Sequence, residues 1–223
     1  MKNRTAKRMS AISPSLTLAI AAKAKAMKQA GESVVSFSVG EPDFCTPAHI
    51  VEAAKTALDK GQTKYTPSSG LLPLRKAICE KFKKDNGLDY HPSQIIVSNG
   101  AKHSIFNACY ALLDEGDEVI IPAPYWLTYP EVVKVCGGVV KYLPCKKENK
   151  YKFTAEDLKA AITPKTKMLI FNSPSNPTGA VYGEEEVRAI AKVCEEAEIF
   201  VLADEIYEKL CYNGVKPFSI AKA

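Results

Sequence analysis

Asp204 carries the most pointed chemistry in this sequence. It ends the apolar run IFVLAD (199–204), and Tyr207 follows three positions later. A carboxylate at the floor of a pocket, beside apolar strands, holds a cation strongly because little water competes for it. The cation has three candidates: a metal ion, an arginine or a protonated ring nitrogen. Apart from Glu205, no second carboxylate and no histidine stands near it in sequence, which ranks the metal last. The residue also suits a helix N-cap, if a helix opens at Glu205. The spacing of Asp204 and Tyr207 would then put both on one side of a short helical turn.

Two further stretches place polar groups where an apolar run stops. In VSNGAKHS (97–104) a strand is expected to pass through Asn99-Gly100 directly into a helix. The free N–H groups of a new helix, together with its dipole, make an anion site suited to phosphate. Lys102 sits in the first turn against that dipole, which hints at an anionic partner. In NSPSNPTG (172–179), Ser173-Pro174 and Asn176-Pro177 halt any regular element, because proline lacks a donor and restricts the residue before it. Gly179 then frees the backbone. A rigid polar corner at the carboxyl end of a strand is where open α/β sheets tend to hold ligands.

The elements that must carry these groups alternate. Helices are expected at 15–30, 46–60 (capped by Thr46-Pro47), 70–87, 101–114, 126–138, 154–162 and 184–198, and strands at 94–100, 117–122, 139–144, 167–171 and 199–205. The strands are short and apolar on both faces, and helices of 3.6 period separate them. That is the mark of an α/β fold, a mostly parallel sheet wrapped on both sides. Residues 46–223 read as one α/β domain and 1–45 as an arm that packs elsewhere.

Bulk composition narrows the function. Of 223 residues, 46% are hydrophobic and 25% charged, the profile of a globular protein. The net charge of +5 comes from scattered, mixed charges, so nucleic acid is a poor partner. The seven cysteines are odd in number with no C-x-x-C pair, and the three histidines are not at metal-ligand spacing, so reduced thiols in a cytoplasmic setting fit best. Residues 1–31 hold no acid, and LTLAIAA (16–22) follows a basic start, a pattern an import signal shares. Pro14 before the run and lysines 23, 25 and 28 after it favour an amphipathic helix of the mature chain. No apolar run is long enough to span a bilayer.

NSPSNPTG followed by ADEIYEKLCYNG resembles the fold-type I aminotransferases that use pyridoxal phosphate, nearest the bacterial-type aspartate aminotransferases. SFSVGEPDFCTP (36–47), KYTPSSGLLPLRKAI (64–78), SNGAKHSIF (98–106) and PAPYWLTYPE (122–131) match in the same order, so the likeness covers essentially the whole chain. It implies that Asp204 pairs with the protonated pyridine nitrogen, and that Tyr207 and Asn176 bond the ring's phenolic oxygen. Trp126 would stack on the ring, and the backbone donors of Gly100, Ala101 and Lys102 would cradle the phosphate. Tyr65 would reach the phosphate of a neighbouring subunit, implying a homodimer with shared sites. Gly40, Trp126 and Asn176 would hold the substrate, and the Lys102 side chain its distal carboxylate.

The resemblance stops short at the C-terminus. The family's cofactor-bearing lysine follows a later loop and strand, in a motif like Ser-x-x-Lys, and Lys222 is too close to Asp204 to be it. The chain therefore reads as the first half or so of such an enzyme, with the rest of the large domain and the main part of the small domain missing. The activity implied is transfer of an amino group between L-aspartate and 2-oxoglutarate. The alternatives are an aromatic or prephenate-type aminotransferase, a lyase of the same fold, or a cofactor-binding fragment without catalysis.

Overall fold

The computed structural model of the chain describes residues 4–37, 40 and 43–223. They fall into two compact units, one of Ser69–Ala223 with the first residues through Ile12, the other Ser13–Ser68. The boundary expected near residue 46 lies inside the second unit.

The smaller unit carries α1 (Leu16–Gln29) and α2 (Ala48–Asp59). Ser15 caps α1, its hydroxyl accepting from the Leu18 N–H. Pro47, rather than Thr46, takes the cap position of α2, one residue later than expected. No helix among the described residues is long and apolar enough to cross a membrane.

The larger unit opens with α3 (Leu72–Lys81), which widens into a π turn at 82–86 and stops at the left-handed Gly87. The expected helix over 70–87 is therefore two elements. Next come α4 (Ala101–Leu112), β1 (Glu118–Ala123), α5 (Thr128–Val135), β2 (Val139–Pro144), α6 (Ala155–Ala161), β3 (Thr166–Asn172), α7 (Glu184–Glu196) and β4 (Phe200–Asp204). The four strands form one sheet in the order β2-β1-β3-β4, with every neighbouring pair parallel.

Alternation along the strands builds a core on each face, since successive side chains point to opposite sides. Val119, Ile121, Met168 and Ile170 pack with Ile105 and Cys109 of α4 and with Tyr129, Val132 and Val133 of α5. Ile120, Leu169 and Phe171 pack on the other face with Leu158 of α6 and Val187, Ile190 and Cys194 of α7. The spacing of those three α7 residues is the apolar stripe of an amphipathic helix, and three glutamates occupy its first turn, favourable to the helix dipole. Thr154 and Asp157 close a reciprocal cap on α6.

The strand expected at 94–100 does not form. Pro92–Gln94 is a 3-10 turn, and the extended residues after it have no strand beside them among the described residues; the Val97 N–H instead donates to the Ser69 carbonyl at 3.0 Å. Strand character needs a ladder partner as well as an apolar run.

The connections direct function to one end of the sheet. Helix α5, after β1, covers one face, while α7, after β3, covers the other, although β1 and β3 are neighbours. A crevice outside the carboxyl ends of strands follows from such a reversal.

Candidate functional site

Asp204 ends β4 at that edge and is 8% exposed. Its Oδ2 accepts from the Tyr129 hydroxyl at 2.7 Å, and its Oδ1 accepts from the Ile206 N–H at 3.2 Å. No helix opens at Glu205; residues 206–209 form a hydrogen-bonded turn, so the capping role is reduced to the Oδ1 contact and the shared helical turn with Tyr207 is absent. Neither a guanidinium nor an ammonium among the described residues bonds this carboxylate, and no group of three potential ligands that could hold a metal occurs among them. Tyr129 comes from α5 and is 2% exposed. Burial first, then the charge of Asp204, push its phenol far above the ordinary value, so it stays a donor.

Asn172 and the corner after it stand next to Asp204. Asn172 faces Asp204 across the last rung of β3 and β4; its Nδ2 donates to the Asp204 carbonyl at 2.8 Å, and its Oδ1 accepts from the Asn176 N–H at 2.7 Å. The Asn176 side chain itself reaches Tyr207, whose hydroxyl lies 3.5 Å from Asn176 Nδ2. The two residues expected to share one ligand oxygen are thus neighbours.

The start of α4 supplies the anion end. Gly100 takes a left-handed φ of +85°, and a side chain there would meet nothing within 4 Å, so the approach to the helix terminus is open. The Gly100 N–H donates to the Ser98 carbonyl at 2.9 Å. The N–H groups of Ala101 and Lys102 have no acceptor among the described residues. Ala101, Ser104 and Ile105 of this helix line a cleft of about 310 Å³ together with Leu202, Asp204 and Ile206. One opening therefore has both Ala101, at the start of α4, and Asp204 in its lining. The Lys102 ammonium lies 5.2 Å from the centroid of the Trp126 ring, and Trp126 meets Tyr129 edge-on at 5.4 Å and 86°.

Gly40 and Tyr65 belong to the other unit, and both are exposed. Of the motif at 36–47, Ser38, Val39, Glu41 and Pro42 lie outside the described residues. Sequence reasoning missed Tyr129, Asn172 and Ser104. Asn172 carried a signal, as an amide ending a buried apolar strand; Tyr129 carried none beyond a hydroxyl on an otherwise apolar helix face.

The model of the family "Aminotransferase class I and II" matches residues 32–222. An aspartate aminotransferase of Bacillus subtilis (strain 168) is 54% identical over 219 residues, 98% of this chain and 56% of that protein. A probable aspartate/prephenate aminotransferase of Aquifex aeolicus (strain VF5) is 50% identical over 216 residues, 97% of this chain and 55% of that protein. Among solved structures, the aspartate aminotransferase from Thermus thermophilus with maleate superposes with a TM-score of 0.96 at 44% identity, covering 99% of this chain and 57% of that one. The chain spans about half the length of the curated relatives it matches.

Proposed function

This chain belongs to the class I and II aminotransferase family, and from that premise we propose that its polypeptide uses pyridoxal phosphate to move an amino group between L-aspartate and 2-oxoglutarate. The observation that supports this most is a single cleft whose lining includes both Asp204 and Ala101 at the start of α4. One end suits a protonated ring nitrogen and the other a phosphate, at the edge of a sheet with the fold-type I arrangement.

When bound, the cofactor supplies a pyridinium ring that draws electron density from the α-carbon of the amino acid. Asp204 would keep the ring nitrogen protonated. The N–H groups of Ala101 and Lys102 would hold the phosphate, and Trp126 would cover a ring face. Asn176 and Tyr207, already adjacent, would bond the phenolic oxygen, with Asn176 and Gly40 also holding the substrate carboxylate. The proline-flanked corner has its purpose in this reading: it fixes Asn176 where ring and substrate meet. Lys102 would serve the distal carboxylate of a dicarboxylic substrate. Tyr65 would act on the site of a second copy in a homodimer, and the free cysteines suit a cytoplasmic protein.

The test is turnover of L-aspartate with 2-oxoglutarate by the complete polypeptide, followed through oxaloacetate. Activity is expected and should fall at least about a hundredfold in Asp204→Ala, a loss typical of removing charge stabilisation at a reacting centre. No turnover by the parent would overturn the reading. The name of the Aquifex relative favours a second donor–acceptor pair, so prephenate belongs in the same panel of 2-oxo acids.

A further inference from the structure

We infer that Tyr129 is a positioning residue for the cleft: its hydroxyl holds one oxygen of the Asp204 carboxylate to the protein, and its ring braces Trp126. The inference rests on the cofactor reading above and assigns a role that reading does not contain.

The geometry leaves Tyr129 little else to do. At 2% exposure its hydroxyl has no access to bulk water, and its hydrogen bond to Asp204 Oδ2 joins α5 to β4 across 75 residues of sequence. Burial and the neighbouring negative charge keep the phenol protonated, so the bond always runs from tyrosine to carboxylate. The bond also fixes the plane of the carboxyl group, because the second oxygen takes the Ile206 N–H. The same ring stands perpendicular to Trp126, which in turn carries the Lys102 ammonium over its face. One side chain thereby sets both the acid and the aromatic wall.

Few other groups compete for Asp204. Asn172 from β3 is neutral and bonds its backbone carbonyl, while Ser104 and Ile105 from α4 bring no charge to the cleft. The titratable neighbours are Glu205 and Tyr207 in the turn that follows β4. Loss of the Tyr129 hydroxyl therefore leaves Asp204 Oδ2 without a side-chain hydrogen-bond partner among the described residues.

The experiment uses the complete polypeptide stripped of cofactor and measures its dissociation constant for pyridoxal phosphate by equilibrium dialysis at neutral pH, together with the visible circular dichroism of the bound cofactor at saturation. Tyr129→Phe keeps the ring and removes the donor. Its dissociation constant should rise about tenfold, the usual worth of a hydrogen bond to a charged group. The dichroism band should weaken as well, because the carboxylate beside the ring is held by one bond fewer. A role in stability alone would leave that band unchanged. In an Asp204→Asn background, adding Tyr129→Phe should bring a smaller loss of affinity than in the parent, a comparison that holds even if the single variant is poorly folded. An unchanged constant and dichroism band in Tyr129→Phe, with binding lost in Asp204→Ala, would overturn the inference alone. Unchanged binding in Asp204→Ala would overturn the cofactor reading and this inference with it.

Discussion

Asn172 and Asp204 face each other across the last rung of β3 and β4, and the Asn172 side chain closes that rung onto the corner beyond it. Its amide donates to the Asp204 carbonyl at 2.8 Å while its oxygen accepts from the Asn176 N–H at 2.7 Å. Replacing it with alanine leaves both partners short of a bond in a half-buried place. Asn172→Ala is expected to lower stability by about 1–3 kcal/mol in chemical denaturation. It should also impair kcat/KM, because Asn176 loses the contact that holds its backbone N–H. Normal kinetics in this variant would show that the proline steps alone hold the corner.

Two left-handed glycines separate backbone strain from crowding. Gly70 has a φ of +96°, and an added Cβ would lie 2.6 Å from Val97 Cγ2; Gly100 has a φ of +85° with open space around it. Gly100, whose ψ is 163°, holds a backbone conformation that only glycine adopts readily, so Gly100→Ala should cost that strain alone, about 1–3 kcal/mol. Gly70→Ala adds a steric clash inside the turn that supports the segment before α4, and overpacking of that kind costs about 1–3 kcal/mol more. Melting curves of the two variants check the order. At Gly100 the new methyl group would also narrow the approach to the Ala101 and Lys102 donors, so phosphate affinity should fall there and not in Gly70→Ala.

Much of this arrangement is legible in the residues themselves. The run VVKYLP becomes β2 with the bounds its apolar pattern suggests, and Asp204 ends a strand as the switch from apolar to polar residues indicates. What failed depends on partners far away in the chain. Ile95 and Ile96 have a strand's composition but no neighbouring strand among the described residues, and no local pattern reports that. Tyr129 looks like one more apolar position on α5, because its partner stands 75 residues later. Gly100 shows a local effect instead: its N–H donates to the Ser98 carbonyl in a tight turn that its positive φ permits. Composition shows which groups are able to do chemistry; pairing shows which are free to do it.

The cysteines give a pH-dependent prediction. Cys109 is fully buried, and burial together with nearby Cys136 pushes its thiol up to about 12; burial alone takes Cys194 up to about 11. Alkylation requires the thiolate. At pH 8 the native protein should be modified first at exposed Cys45, with Cys109 and Cys194 protected until denaturant opens the core. Peptide mass spectrometry after brief treatment with iodoacetamide reads the order. Raising the pH to 9 should leave the two buried thiols untouched, since both remain protonated and enclosed. Early labelling of Cys109 would mean that the α4–α5 face of the core opens readily.

Tyr182 provides the control that separates support of the fold from support of the site. Its hydroxyl accepts from the buried Phe153 N–H at 2.9 Å, its ring packs 5.0 Å from Phe171, and its own N–H donates to Ser173 Oγ at 3.2 Å. Only the last contact touches the proline-flanked corner, and it belongs to the backbone. Tyr182→Phe should therefore remove the acceptor for Phe153 and cost about 1–3 kcal/mol, the penalty of an unpaired buried donor. The ring and the Ser173 contact persist, so kcat and KM should stay within about twofold of the parent while the denaturation midpoint falls. Asn172→Ala should move both quantities. A kinetic defect in Tyr182→Phe comparable with that of Asn172→Ala would mean that the position of Asn176 depends on the packing beneath the corner as well as on its own hydrogen bond.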